Sequence, residues 1–311
     1  MKAARVHRFG EALRIDEVDE PSPGAGEVLA TVRFVAVNPQ DVWLTRGTVA
    51  GGRQPLPFVP GTEATVEAGG RQWIAGGGGY GLVRDGFYAE RAAIGREYLT
   101  PLPEGADPAQ ASALRVAGVT AWRLVNDVTR VAEGDRVLVL GASGGVGNLL
   151  IQLARTRGAV VWGQTGSHDK AQVITELGAE RAVVADAGEL VDAAADLKPT
   201  VVFDPLGGTF TPAAVQLLQP HGRLGLFGAS AGPEMTLPVT GVYRKGLSIL
   251  GYGGVAEAPE RINQALAEVL AELAAGRLRL PIGAVLPLQS AAEAHRLILE
   301  RGVSGKLLLQ P

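Results

Sequence analysis

The most constraining stretch of the chain is Asp135-Arg136-Val137-Leu138-Val139-Leu140-Gly141-Ala142-Ser143-Gly144-Gly145-Val146-Gly147. Val137 to Leu140 is an unbroken apolar, partly β-branched run, which is how a parallel strand buried on both faces reads. Glycines follow at once in the pattern G-x-x-G-G-x-G. Asn148 to Arg157 then reads as a helix with Leu149, Leu150, Leu153 and Ala154 on one face, stopped at Gly158. Strand, glycine turn and helix in this order open a βαβ unit of the kind that binds a dinucleotide. Gly141 permits the tight turn, Gly144 or Gly145 lets the backbone approach a pyrophosphate, and Gly147 lets the helix pack close to the strand. The helix N-terminus adds free N–H groups and the positive end of a dipole. Ser143, Gly144, Gly145, Val146 and Gly147 are therefore candidate cofactor contacts. With 43 glycines in the chain a merely flexible turn is the competing reading, and the flanking strand and helix weigh against it.

The next strand tests which dinucleotide. Ala159-Val160-Val161-Trp162-Gly163 reads as the second strand, and its end falls about 20 residues past the glycine turn, where an NAD site carries Asp or Glu for the ribose 2′-hydroxyl. Here the chain reads Gln164-Thr165-Gly166-Ser167-His168-Asp169-Lys170. Small donors and a cation replace the acid, and these suit a 2′-phosphate. The expected cofactor is NADPH, with Thr165, Gly166, Ser167 and Lys170 as candidate contacts and His168 beside them. The competing reading of Lys170 is a solvated residue in the first turn of the next helix, its charge partly offset by Asp169.

Composition excludes several classes. A length of 311 residues suggests two domains, and 46% hydrophobic with 20% charged residues implies a globular protein with a sizeable core. Net charge is −3 with Lys and Arg spread along the chain, so neither nucleic acid nor an anionic membrane is an expected partner. Cysteine is absent, which removes disulfides, thiolate nucleophiles and cysteine-ligated zinc. Met1 to Arg8 carries no signal-peptide core and no apolar run reaches transmembrane length, so a cytoplasmic location is expected. The four histidines, His7, His168, His221 and His295, lack ligand spacing, and each reads as a solvent-facing or locally bonded side chain.

From Met1 to about Ala109 the chain reads as all-β, with alternating runs such as Glu27 to Val37 bounded by Pro and Gly turns. One short helix begins near Pro39-Gln40-Asp41, with Asn38 as a possible cap. From about Ala111 helix and strand alternate. A helix runs from Lys170 to Leu177. Ala182 to Val184, Val201 to Phe203, Arg223 to Phe227 and Leu247 to Leu250 are strand-like, as expected of a doubly wound parallel sheet. Pro259 to Ala275 and Leu288 to Arg301 hold helices, and Gly305 to Leu309 is a last strand that could return to the first domain.

Several motifs stand in one order: Val37-Asn38-Pro39-Gln40-Asp41, Pro60-Gly61-Thr62-Glu63, Tyr88-Ala89-Glu90, Gly118-Val119-Thr120-Ala121, the glycine turn, Phe203-Asp204-Pro205-Leu206-Gly207-Gly208, Phe227-Gly228-Ala229-Ser230 and Ser304-Gly305-Lys306-Leu307. The set resembles the medium-chain dehydrogenase/reductase superfamily, in its zinc-free quinone oxidoreductase branch that includes zeta-crystallin. The resemblance covers nearly the whole chain. It implies an α/β protein with a GroES-like β-rich catalytic domain, residues 1–112 and 253–311, and a Rossmann domain with a doubly wound parallel sheet, residues 113–252. It also implies a homodimer in which Leu247-Ser248-Ile249-Leu250-Gly251-Tyr252 pairs across a two-fold axis.

The same resemblance supplies roles. Zinc-dependent relatives carry cysteine where this chain has Asn38 and histidine where it has Thr62, so no metal is expected. Asn38 is implied to lie near the nicotinamide ribose and the substrate, where its amide can donate; it is the candidate catalytic residue. Thr120, Phe227 and Gly228 match positions near the nicotinamide, and Lys306 reaches the cofactor from the last segment. Many relatives carry a tyrosine in an Arg-x-Gly-x-Tyr segment, and Thr45-Arg46-Gly47-Thr48-Val49 puts Val49 in its place, removing a proton donor. The expected activity is zinc-independent hydride transfer from NADPH to small quinones in the cleft between the domains. A reductase of α,β-unsaturated carbonyls or enoyl thioesters is the alternative enzyme, and a non-catalytic NADPH-binding protein, RNA-binding or structural, is the alternative from another class.

Overall fold

The computed structural model describes residues 1–48, 55–254, 257–300 and 302–311. Val49 lies outside the described residues. The chain divides into two compact units, one of Met1–Val116 with Pro259–Pro311, the other of Ala117–Ala258. No helix among the described residues is long and apolar enough to cross a membrane.

Ala117–Ala258 carries six parallel strands in the order Arg181–Val184, Val160–Thr165, Arg136–Val139, Val201–Asp204, Arg223–Leu226, Ser248–Gly251. This is the doubly wound order, reversing beside the first strand. Val137, Leu138 and Val139 are wholly buried, as a strand covered on both faces requires. Leu138, Leu140, Trp162, Val183, Val202 and Leu224 belong to one core cluster.

Two boundaries here differ from the sequence expectation. The helix after the glycine turn is Gly145–Thr156 and so begins before Asn148, because the Asn148 N–H already bonds to the Gly144 carbonyl at 2.9 Å. The second strand is Val160–Thr165 and runs past Gly163. Gln164 and Thr165 read as polar loop residues but are buried, and the Gln164 amide finds partners inside the fold. The stretch expected as a helix from Lys170 opens instead as a 3₁₀ turn, His168–Lys170, followed by a short helix, Ala171–Glu176.

The other unit is built on a seven-stranded sheet. Its path runs Ile282–Pro287, Lys306–Gln310, Glu27–Val37, Glu63–Ala68, Arg71–Gly76, Leu99–Pro101, with Arg91–Gly95 also paired to Glu27–Val37. Lys306–Gln310 lies parallel to Ile282–Pro287 and antiparallel to Glu27–Val37. Its interior holds Val32, Val35, Val37, Ile94, Phe87, Tyr88, Leu307 and Leu309. The expected short helix is Pro39–Thr45, with Asn38 at its N-cap position.

Candidate active site

The register of three neighbouring strands assembles a buried polar cluster in the unit of Met1–Val116 with Pro259–Pro311. Val37 pairs with Leu307, and Val35 pairs with Ala64, both antiparallel. Asn38 follows the middle strand directly, while Glu63 and Lys306 open the two flanking ones. Antiparallel neighbours therefore set these three side chains at one end of the sheet. Asn38 is 4% exposed, Lys306 6% and Glu63 0%.

The contacts are specific. Asn38 Nδ2 donates to Glu63 Oε1 at 3.0 Å, and Lys306 Nζ donates to Asn38 Oδ1 at 2.5 Å. Lys306 Nζ also donates to the Val37 carbonyl at 3.2 Å and stands 3.9 Å from Glu63 Oε1. Glu63 Oε2 accepts the Val116 N–H at 2.7 Å. Burial raises the Glu63 carboxyl above its ordinary value, opposed by the Lys306 ammonium and by these donors. Burial lowers the Lys306 ammonium, opposed by Glu63 and Asp41.

A second row lies behind Asn38. Asp41 Oδ2 accepts the Asn38 backbone N–H at 2.8 Å and the Tyr88 hydroxyl at 3.4 Å. Tyr88 OH in turn lies 3.3 Å from His295 Nε2. Asp41 is wholly buried and its Oδ1 has no partner among the described residues, so desolvation raises the carboxyl to about 7. Desolvation lowers His295 to about 4, and burial with the Asp41 charge pushes the Tyr88 phenol well above its usual range. His295 corrects the expectation of a solvent-facing or locally bonded ring: it is buried and bonded to Tyr88, far away in sequence.

The remaining candidates gather in Ala117–Ala258. Parallel strands send all their exits to one edge, so Ser143 to Gly147, Gly166 to Lys170 and Phe227-Gly228 follow strand ends on the same side of the sheet. Gly141 has φ +58°, which only a glycine adopts without strain. A Cβ on Gly147 would stand 2.6 Å from the Gly141 carbonyl oxygen and 2.7 Å from Ala142 Cα, so helix and strand meet without room for a side chain. The helix Gly145–Thr156 has no side-chain cap at its N-terminus, and Gly144 is exposed there. Uncapped N–H groups beside a glycine cradle fit the pyrophosphate of a nicotinamide dinucleotide. Thr165 is buried at the strand end, where its Oγ1 accepts the Ser167 N–H at 3.4 Å. A Cβ on Gly166 would meet nothing within 4 Å, so the chain is open there. Ser167 and Lys170 are half-buried around the 3₁₀ turn. Thr120 is half-buried in the helix Val119–Arg123.

Residues that received no role from the sequence hold these loops. Gln164 ties the glycine turn to the second strand, its Oε1 accepting the Gly141 N–H at 3.0 Å. Asp204 Oδ1 accepts the Leu206 and Gly207 N–H groups at 2.7 and 3.0 Å, and Oδ2 accepts the Thr211 hydroxyl at 2.6 Å. The loop so fixed packs against Phe227-Gly228: a Cβ on Gly228 would lie 2.5 Å from the Pro205 carbonyl oxygen. Asp204 stood in a quoted motif, while nothing in the sequence pattern separates Gln164 from a loop residue. Among the described residues no group of three or more His, Cys, Asp or Glu stands where it could hold a metal ion.

Comparison with known proteins agrees with this architecture. Residues 145–272 match the zinc-binding dehydrogenase family. The quinone oxidoreductase of Rattus norvegicus is 31% identical, over 99% of this chain and 97% of its own length. The solved structure of an NAD-dependent alcohol dehydrogenase, 31% identical, superposes with a TM-score of 0.90 over 100% of both chains. The quinone oxidoreductase from Thermus thermophilus, also solved as its complex with NADPH, is 30% identical with a TM-score of 0.88 over 100% of both chains. The chain belongs to the zeta-crystallin-like quinone oxidoreductase branch of the medium-chain dehydrogenase/reductase superfamily, a superfamily of nicotinamide-dependent oxidoreductases.

Proposed function

We propose that the chain is a zinc-independent, NADPH-dependent reductase of small quinones. One observation carries the zinc-independent reading: Lys306 Nζ lies 2.5 Å from Asn38 Oδ1, so an ammonium holds the amide where zinc-dependent relatives have a ligand cysteine. A cation already bonded there leaves no electrostatic place for a second one. The full-length likeness to quinone oxidoreductases supports the substrate class. Gly166, Ser167 and Lys170 after the strand Val160–Thr165, with no acid at its end, support NADPH over NADH. A homodimer is part of the same reading, because Ser248–Gly251 ends the parallel sheet with a hydrogen-bonded neighbour on one side alone. Sedimentation at micromolar concentration finds a dimer on this reading, and a monomer overturns it.

The nicotinamide supplies the hydride when bound. The chain's own part is to orient the reacting rings and to meet the charge that collects on the quinone oxygen. Asn38 fits that part, since its Nδ2 keeps one hydrogen after bonding Glu63. Thr120, Phe227 and Gly228 belong to the nicotinamide side of this reading, and Ser143 to Gly147 to the phosphates.

The test is consumption of NADPH against a panel of small quinones and a panel of enals. Quinone turnover with deuterium passing from labelled cofactor to product is expected. Asn38→Ala lowers kcat/KM roughly ten- to a thousandfold and changes NADPH affinity far less. Turnover of enals alone transfers the chain to the unsaturated-carbonyl reductases, and turnover of neither removes the catalytic reading.

A further inference from the structure

The Asn38 amide is held by two partners of opposite kind. An ionised carboxylate only accepts and an ammonium only donates. With Nδ2 at 3.0 Å from Glu63 Oε1 and Oδ1 at 2.5 Å from Lys306 Nζ, a flipped amide would set oxygen against carboxylate and NH2 against ammonium. One orientation alone is compatible with both neighbours.

The ammonium is committed inward. Its donors go to Asn38 Oδ1 and the Val37 carbonyl, with Glu63 Oε1 3.9 Å away, and its side chain is 7% exposed. Gly305 makes this approach possible: its φ is +85°, and a Cβ there would lie 2.4 Å from the Pro281 carbonyl oxygen. A buried ion pair contributes little net stability compared with an apolar pair of the same size. What this pair does is orient and polarise the amide between its two members.

We propose that Lys306 and Glu63 are positioning residues for quinone reduction, locking the Asn38 amide in one orientation and leaving a single Nδ2 hydrogen for the quinone oxygen. Lys306 also draws electron density toward Oδ1, which makes that hydrogen a stronger donor as negative charge develops. This rests on the role given to Asn38 above. It assigns Lys306 to the amide, whereas the family resemblance pointed it at the cofactor.

The test uses Lys306→Met, the neutral pair Lys306→Met/Glu63→Gln, Asn38→Ala, and Lys306→Met combined with Asn38→Ala. For each, kcat for a small quinone at saturating NADPH, NADPH affinity by fluorescence titration and the melting temperature are measured. Lys306→Met lowers kcat roughly ten- to a hundredfold, the value of one charge-assisted hydrogen bond, with NADPH affinity within about threefold of wild type. The neutral pair recovers the melting temperature lost by Lys306→Met, because no charge is left buried alone, but not kcat. In the Asn38→Ala background Lys306→Met changes kcat less than about twofold, since its effect runs through the missing amide. Wild-type kcat in the neutral pair, or losses that multiply in the combined variant, overturns the proposal. So does a Lys306→Met enzyme with intact kcat and weakened NADPH binding, which makes Lys306 a cofactor ligand. Asn38→Ala with wild-type quinone turnover overturns the reading of Asn38 itself, a result separate from impaired Asn38→Ala beside unimpaired pair variants.

Discussion

The Gln164 side chain grips Gly141: its Oε1 accepts the Gly141 N–H at 3.0 Å while its Nε2 donates to the Ala185 carbonyl at 2.7 Å. The Gln164 carbonyl also accepts the Ala142 N–H at 2.8 Å. The glycine turn is therefore held by a strand neighbour as well as by its own geometry. Gln164→Leu keeps the volume and strands the Gly141 N–H and the Ala185 carbonyl. Each stranded group costs about 1–3 kcal/mol. The urea midpoint falls at unchanged m, and NADPH binds more weakly. A variant that melts and binds like wild type would show that the turn needs no such tie.

Gly147 has no space for a methyl group. The clash of its Cβ would be with backbone, the Gly141 oxygen at 2.6 Å and Ala142 Cα at 2.7 Å, which no rotamer change relieves. In Gly147→Ala the helix start moves off the turn, and NADPH affinity drops at least about tenfold, or ~1.4 kcal/mol. Fluorescence titration measures it; an unchanged dissociation constant would mean the cradle has slack.

Coenzyme preference rests on the segment after Thr165. If Lys170 contacts the 2′-phosphate, Lys170→Ala forfeits one charge-assisted contact, about 1.5–3 kcal/mol, or roughly ten- to a hundredfold in NADPH affinity. NADH affinity stays nearly constant. Wild-type protein titrating equally with both coenzymes contradicts the preference outright.

Asp41 and His295 give the fold opposed responses to pH. Burial raises Asp41 from 3.8 to about 7, so between about pH 4 and 7 the folded chain keeps a proton that the unfolded chain releases. Stability from this group falls as pH rises through that window. Burial lowers His295 from 6.5 to about 4, so the unfolded chain takes up a proton that the folded chain refuses. Stability from this group is lost as pH falls from about 6.5 to about 4. Urea unfolding between pH 4.5 and 6.5 separates them. Relative to wild type, Asp41→Asn gives a stability curve that climbs more steeply with pH, and His295→Gln one that climbs less or descends. Each slope difference is at most about 1.4 kcal/mol per pH unit. Parallel curves for the three proteins would remove both groups from the account.

The fold class was legible because its signals are local. An apolar run, a glycine turn and a helix of period 3.6 sit side by side from Val137 to Thr156, and the parallel sheet they imply is present. Legibility stopped where a polar residue is buried with its partners supplied by tertiary structure. Gln164 looks like the start of a loop until Gly141 and Ala185 are brought to it. The polar cluster is harder still. Asn38 and Lys306 were each marked, but their bond spans 268 positions in sequence and arises from strand register alone. Glu63 and Tyr88 stood in quoted motifs without roles, since nothing local says that a glutamate will face an amide or a phenol a histidine.

The insertion of Lys306–Gln310 between Ile282–Pro287 and Glu27–Val37 sets an order of events during synthesis. All six strands of Ala117–Ala258 emerge from the ribosome well before the final residues of the other sheet. Until those residues are released, Val35, Ala36 and Val37 present an open edge, with the hazard of mispairing that such an edge carries. That unit is thus completed only after translation ends. A premature stop just after Gly305 deletes, in one event, a flanked strand of the sheet and the ammonium that holds Asn38.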